Sequence, residues 1–221
     1  MLFFGHVGIT TGIVKVCQEL VTTRRFGQNK AYADPKSGTT QARKHLLTDN
    51  LRDKMRSVDY RFLILGSLLP DIIDKPIWMF TASNFPWNGR GYAHTFLFNF
   101  VLLIIGLILS ICLGKTWFLT ISVGSFFHLI FDQMWRLPVT LWWPLLGPIP
   151  RETTAGWLPS LWQALISNPY IYISETIGFI IILYLFLRLL VSHRVIFFLK
   201  TGNIDWNVPL ASDKAKVTKV T

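Results

Sequence analysis

A chain of 221 residues that is 51% hydrophobic and only 15% charged is either one very apolar globular domain or a small bundle of membrane spans. Charge is unevenly spread: Thr95 to Gly114 carries none and Ile171 to Leu187 only Glu175, and the first run has the roughly 20-residue length of a bilayer span. The net charge of +10 lies in blocks beside apolar segments, which assigns it to membrane topology and argues against a nucleic-acid partner.

The first segment, Met1 to about Val21, is apolar with His6, Lys15 and Glu19 embedded. It lacks a basic leader and a small-residue cleavage site, so it is expected to be a retained helix. Gly5, Gly8 and Gly12 fall roughly on one face, where another helix can approach closely. Cys17 in this segment and Cys112 further on read as small packing residues, not as a disulfide or a thiolate metal site.

Thr22 to Arg61 holds ten Lys/Arg against four Asp, with turn chemistry at Asp34-Pro-Lys-Ser-Gly. Leu46 to Met55 can form an amphipathic helix on anionic headgroups, and His45 has no partner at ligand spacing. Phe62 to Leu69 reads as a short apolar helix that Pro70 kinks or ends, followed by Asp71 and Asp74. A broken helix at membrane depth is tolerated where protein or a watery cavity satisfies its backbone.

Ser83 to Ala93 reads as a Gly/Pro/Trp loop; His94-Thr95 then opens the uncharged third helix, with Thr95 as N-cap. The fourth helix is expected from Trp117 to about Trp135 and carries His128 and Asp132, four residues apart and one turn apart on one face. Leu137 to Asn168 has the Pro and Trp content of an interfacial loop, and Tyr170 to Leu190 is the fifth helix. Residues 201–221 form a basic tail expected to be disordered, and 1–200 a single membrane-embedded domain with the basic loop inserted.

The fold class expected is therefore all-α, a multi-span helical membrane protein with about five transmembrane helices, one of them broken. Positive-inside counting puts the basic loop and tail in the cytoplasm and the N-terminus outside. His6, Asp71, Asp74, His94, His128 and Asp132 then share the outer half of the membrane; Asp71 is roughly 15 Å and His128 roughly 17 Å from the inner boundary. Buried carboxylates need compensation, which a divalent cation supplies. The mixed His/Asp set favours zinc, with manganese or iron as alternatives, and six ligands leave room for one metal with supporting partners or for two.

Gly5-His6, Leu68 to Pro76, Gly89-Arg90-Gly91-Tyr92-Ala93-His94-Thr95, and Gly124 to Asp132 followed by Trp143-Pro144 resemble, in that order, a known family. It is the YdjM-like family of membrane-bound metal-dependent hydrolases, also described as LexA-binding inner-membrane-associated hydrolases. The resemblance covers most of the chain outside the basic loop and tail. It implies a multi-helical inner-membrane protein whose metal ligands carry over to His6, Asp71, Asp74, His94, His128 and Asp132. The chain departs from the pattern where Asp71 and Asp74 are separated by two isoleucines and where Gly89 precedes Arg90-Gly91.

The function expected is hydrolysis of an ester or phosphoester of a lipid-like substrate, with membrane lipid as surroundings, Asp74 as general base and Arg90 holding a phosphate. Alternatives are a metal-binding scaffold or regulator whose basic loop meets a cytoplasmic protein, and a metal or proton transporter. Transit would need acidic or His residues continuing inward, where the spans offer only Lys15 and Glu19. Metal-independent lipid-phosphate phosphatases need an arginine upstream of the His-xxx-Asp motif, and Ser122 to Phe127 has none.

Overall fold

The computed structural model describes residues 2–23, 58–81, 89–150, 163, 165–204 and 206. Most of the basic loop, including His45 and the helix expected over Leu46–Met55, lies outside the described residues, as do Ser83 to Asn88, Trp157, Trp162 and residues 207–221 of the tail. Every regular element among the described residues is helical. A π-helical turn, Gly5–Ile9, runs into α1, Thr10–Thr23; α2 is Tyr60–Thr81; a 3-10 turn, Tyr92–His94, precedes α3, Phe96–Leu113. Then come α4, Trp117–Phe131; a 3-10 turn, Met134–Arg136; α5, Pro138–Leu141; α6, Pro169–Val191; and α7, Val195–Thr201.

Local chemistry sets the boundaries. Thr95 Oγ1 accepts from Phe98 N at 3.1 Å and starts α3; Gly114, at φ 65°, ends it. Asn168 Oδ1 accepts from Tyr170 N at 3.1 Å, with Pro169 in the first turn of α6. Two boundaries differ from those read in the sequence. α2 runs unbroken through Pro70 and Pro76, so the helix is not broken there. A proline removes one rung of the ladder, and α2 is held on both sides of Pro70 by its packing on α4 and on the turn before α3. α4 stops at Phe131, not near Trp135, because Gln133 turns left-handed at φ 54°.

Glycines decide how closely helices approach. A Cβ on Gly66 would overlap the carbonyl of Ile121, and one on Gly124 would lie 2.6 Å from Leu63 O, so α2 and α4 touch backbone to backbone. The contact expected of the N-terminal glycines is made with α6: Gly8 meets the backbone of Gly178, and Gly12 packs on Ile181.

The bundle is apolar outside and polar inside. Phe100, Ile104, Ile108 and Ile111 of α3 and Ile173, Ile180, Tyr184 and Val191 of α6 are exposed, while His6, Ser67, Asp74, His94, Ser125 and His128 are fully buried. A water-soluble domain has the reverse arrangement. By length and composition α3 and α6 can each cross a membrane; α4 is apolar but has 15 residues. Cys17 and Cys112 are unbridged, as expected, but face outward instead of packing inside.

At one end of the bundle Val14, Tyr60, Leu63, Leu185 and Ile204 form the apolar core. Tyr60 Oη donates to Gln18 Oε1 at 2.7 Å and Lys15 Nζ to Ile204 O at 2.9 Å. Arg61 joins Asp59 at 2.6 Å and Leu199 O at 2.7 Å. His6, His94 and His128 gather at the other end. Replacing Gly124 with Val should separate α2 from α4 and cost about 1–3 kcal/mol, read as a lower thermal midpoint in detergent; an unchanged midpoint would refute the close contact.

Candidate metal centre

His6 comes from the π-helical turn, Asp71 and Asp74 from α2, His94 from the 3-10 turn before α3, and His128 and Asp132 from the end of α4. Segments that fold far apart in sequence thus deliver all six residues to one end of the bundle. Asp71 and Asp74 are three apart, so they leave one side of α2 nearly a turn apart and meet different partners.

Asp74 is enclosed. Its oxygens accept the backbone N–H of Gly91 at 2.8 Å, of Ala93 at 3.1 Å and of His94 at 3.2 Å, and Oδ2 lies 2.7 Å from His94 Nδ1. The Gly91-Tyr92-Ala93-His94 segment is therefore wrapped on one carboxylate, and Gly89 at φ 81° supplies the left-handed entry. Asp71 is less enclosed: Oδ2 takes Lys75 Nζ at 2.6 Å, and Oδ1 lies 3.5 Å from His94 Nε2 and 3.8 Å from His128 Nε2.

The tautomers follow from the partners. His128 Nδ1 is 2.8 Å from Ser67 O, and a carbonyl only accepts, so the proton is on Nδ1. The Asp74 carboxylate fixes the proton of His94 on Nδ1 in the same way. Each Nε2 then presents a lone pair, and the two Nε2 atoms face each other at 3.2 Å. Two lone pairs, with Asp71 Oδ1 beside them, repel unless a proton or cation lies between. A metal-ligating histidine that donates its other N–H to a carboxylate or carbonyl has this arrangement.

His6 closes the site. Its ring stacks on His128 with centroids 4.0 Å apart, Nε2 is 3.1 Å from Asp132 Oδ1, and buried Nδ1 has no hydrogen bond among the described residues. Arg90 Nε donates to Asp132 Oδ2 at 2.9 Å. The potential ligand atoms fall into two overlapping groups, His6, His128 and Asp132, and Asp71, His94 and His128, each with its atoms within 4.8 Å of one another. The donor set fits a divalent cation: imidazoles with their second nitrogen already committed, and carboxylates on two sides. Asp74 belongs to neither group and supports His94 from behind.

The profile of the YdjM inner membrane protein family matches residues 1–201. The chain belongs to that family. No curated protein and no solved structure matches it. The YdjM assignment agrees with the resemblance carried by the motifs around His6, Asp71, His94 and His128, and these motifs are the segments that meet in the structure.

Three contributors to the site are less legible in the sequence. Ser67 acts through its backbone carbonyl, which no side-chain pattern announces. Lys75 pairs with Asp71 at helical i,i+4 spacing, a signal present in Asp71-Ile-Ile-Asp74-Lys75. Glu175, early in the fifth helix expected from the sequence and on the same side as the His/Asp set by charge counting, gives no sign there of its partners. Its carboxylate accepts the N–H of Leu2 at 2.7 Å, Phe4 at 2.8 Å and Gly5 at 3.0 Å, next to His6.

Two outcomes follow. Asp74→Asn should keep the fold and lower metal affinity about 10–100-fold, measured by competition with a chelating dye; wild-type affinity would remove Asp74 from its supporting place. Glu175→Ala should cost about 2–3 kcal/mol in thermal melting and weaken metal binding through His6, whereas a loss confined to melting would separate the anchor from the site.

Proposed function

We propose that the protein is a membrane-embedded, metal-dependent hydrolase that cleaves an ester or phosphoester of a lipid-like substrate. The observation carrying this reading is the pair of imidazole lone pairs, His94 Nε2 and His128 Nε2, turned toward each other at 3.2 Å beside Asp71. Zinc suits the mixed His/Asp donors best, with manganese or iron as alternatives. A bound divalent cation supplies Lewis-acid polarisation of the scissile group and makes water acidic enough to attack.

The chain's own groups divide the remaining work. Asp74 and Ser67 O hold His94 and His128 in one tautomer and orientation. Asp74 has both oxygens engaged, so we place it as a positioning residue and give proton acceptance from water to Asp71 Oδ1 or Asp132. Arg90 holds Asp132 through Nε, with its Nη groups making no hydrogen bond among the described residues. The buried, water-poor setting strengthens these electrostatic contacts.

The five-crossing arrangement belongs to the same proposal. The π-turn and α1 together, α2, α3, α4 and α6 would cross, with the N-terminus and the metal centre outside and the loop 22–61 and tail in the cytoplasm. The outward apolar surface supports it, and so does the clustering of Lys15, Arg61, Arg188 and Arg194 at the end opposite His6, His94 and His128.

Purified protein should release product from at least one member of a panel of lipid esters and phosphoesters. Chelation or His128→Ala should lower that rate at least about 100-fold, and adding zinc should restore the chelated enzyme. Metal-loaded protein inert toward the whole panel would overturn the hydrolase reading. Cysteines placed at Asn84 and Lys44 should label from opposite faces of intact vesicles; labelling from one face would overturn the topology.

A further inference from the structure

Beside the metal centre, between the end of α4 and the start of α6, lies a cavity of about 280 Å³. Its polar lining is Arg90, Asp132, Gln133, Arg136, Asn168 and Tyr170. We propose that this cavity binds the phosphate of a phosphoester lipid headgroup and presents it to the metal centre. The assignment rests on the hydrolase reading above and narrows its substrate from esters in general to phosphoesters.

The donor inventory points to an anion. Arg90 commits Nε to Asp132, and neither its Nη groups nor the exposed guanidinium of Arg136 makes another hydrogen bond among the described residues. The Asn168 oxygen accepts from Tyr170 N, which leaves its NH2 as a donor, and the Gln133 amide is likewise without a partner among the described residues. The one acid in the wall, Asp132, has Oδ1 against His6 and Oδ2 against Arg90, so its charge is met before a ligand arrives. Two guanidinium groups and two amides around a small cavity match the several oxygens of a phosphate.

The wall is built for this placement. Gln133 takes a left-handed conformation at φ 54°, rare for a non-glycine residue, and the turn it makes brings both Gln133 and Arg136 to the cavity. Tyr170 Oη donates to Phe131 O at 2.9 Å and ties the start of α6 to the end of α4. The remaining lining of Phe131, Leu137 and Ile171 is apolar, and Trp135 and Tyr172 are exposed close by in sequence. Such aromatic residues sit at headgroup level in membranes. The cavity is near the lower end of ligand-pocket sizes, which suits a headgroup and not a whole lipid.

The test uses the full chain in dodecyl maltoside micelles, which carry no phosphate, with dodecyl phosphate, inorganic phosphate and methyl dodecanoate as probes and circular dichroism and metal content as controls. Dodecyl phosphate should bind more tightly than either other probe. Arg136→Gln should weaken it about tenfold or more at unchanged metal content, with Arg136→Lys intermediate. Should Arg136→Gln misfold, Asn168→Ala reads the same cavity. Equal binding of methyl dodecanoate, or wild-type affinity in a folded Arg136→Gln protein, would overturn the phosphate site; equal affinity for inorganic phosphate would overturn the lipid assignment. Absence of bound metal would instead count against the hydrolase reading while leaving the phosphate measurement interpretable.

Discussion

The centre of the molecule depends on one contact: two imidazole nitrogens whose protons are committed elsewhere face each other at 3.2 Å. Shifting either ring's own proton to Nε2 would break the bond to Ser67 O or to Asp74, both of them buried. Losing such a bond leaves a polar group unsatisfied in a setting without water, at about 1–3 kcal/mol. The cheaper way to relieve the repulsion is a positive charge between the rings, and the carboxylates of Asp71 and Asp132 are already placed to share it.

That arrangement requires a scaffold whose interior is polar and whose exterior is not. The apolar faces of α3 and α6 leave the inside of the bundle to His, Asp, Ser and Thr side chains. Glycines at 8, 66, 124 and 178 bring backbones into contact, so the space between helices is too narrow for large side chains to fill. Asp74 and His128 are held there by short hydrogen bonds to the main chain, which ties the site to the helices that carry it.

Much of this could be read from residue type and spacing. The uncharged run at 95–114 marks α3, and charge counting gathers His6, Asp71, His94, His128 and Asp132 at one level. What spacing could not tell apart was ligand from supporter. Asp71 and Asp74 look alike in sequence, and only the fold of residues 89–94 surrounds one of them with N–H donors. The proline at 70 misled for a related reason: local propensity favours an end to the helix, but packing on α4 carries it onward. The turn at Gln133 had no glycine or proline to announce it.

Glu175 carries a consequence for how the protein is made. It binds the N–H groups that precede His6, yet lies 170 positions after Gly5 in the chain. During synthesis the N–H groups around the start of the π-helical turn therefore lack this partner until α6 has been made. A nascent chain that stalls before α6 holds the turn of His6 without its carboxylate anchor.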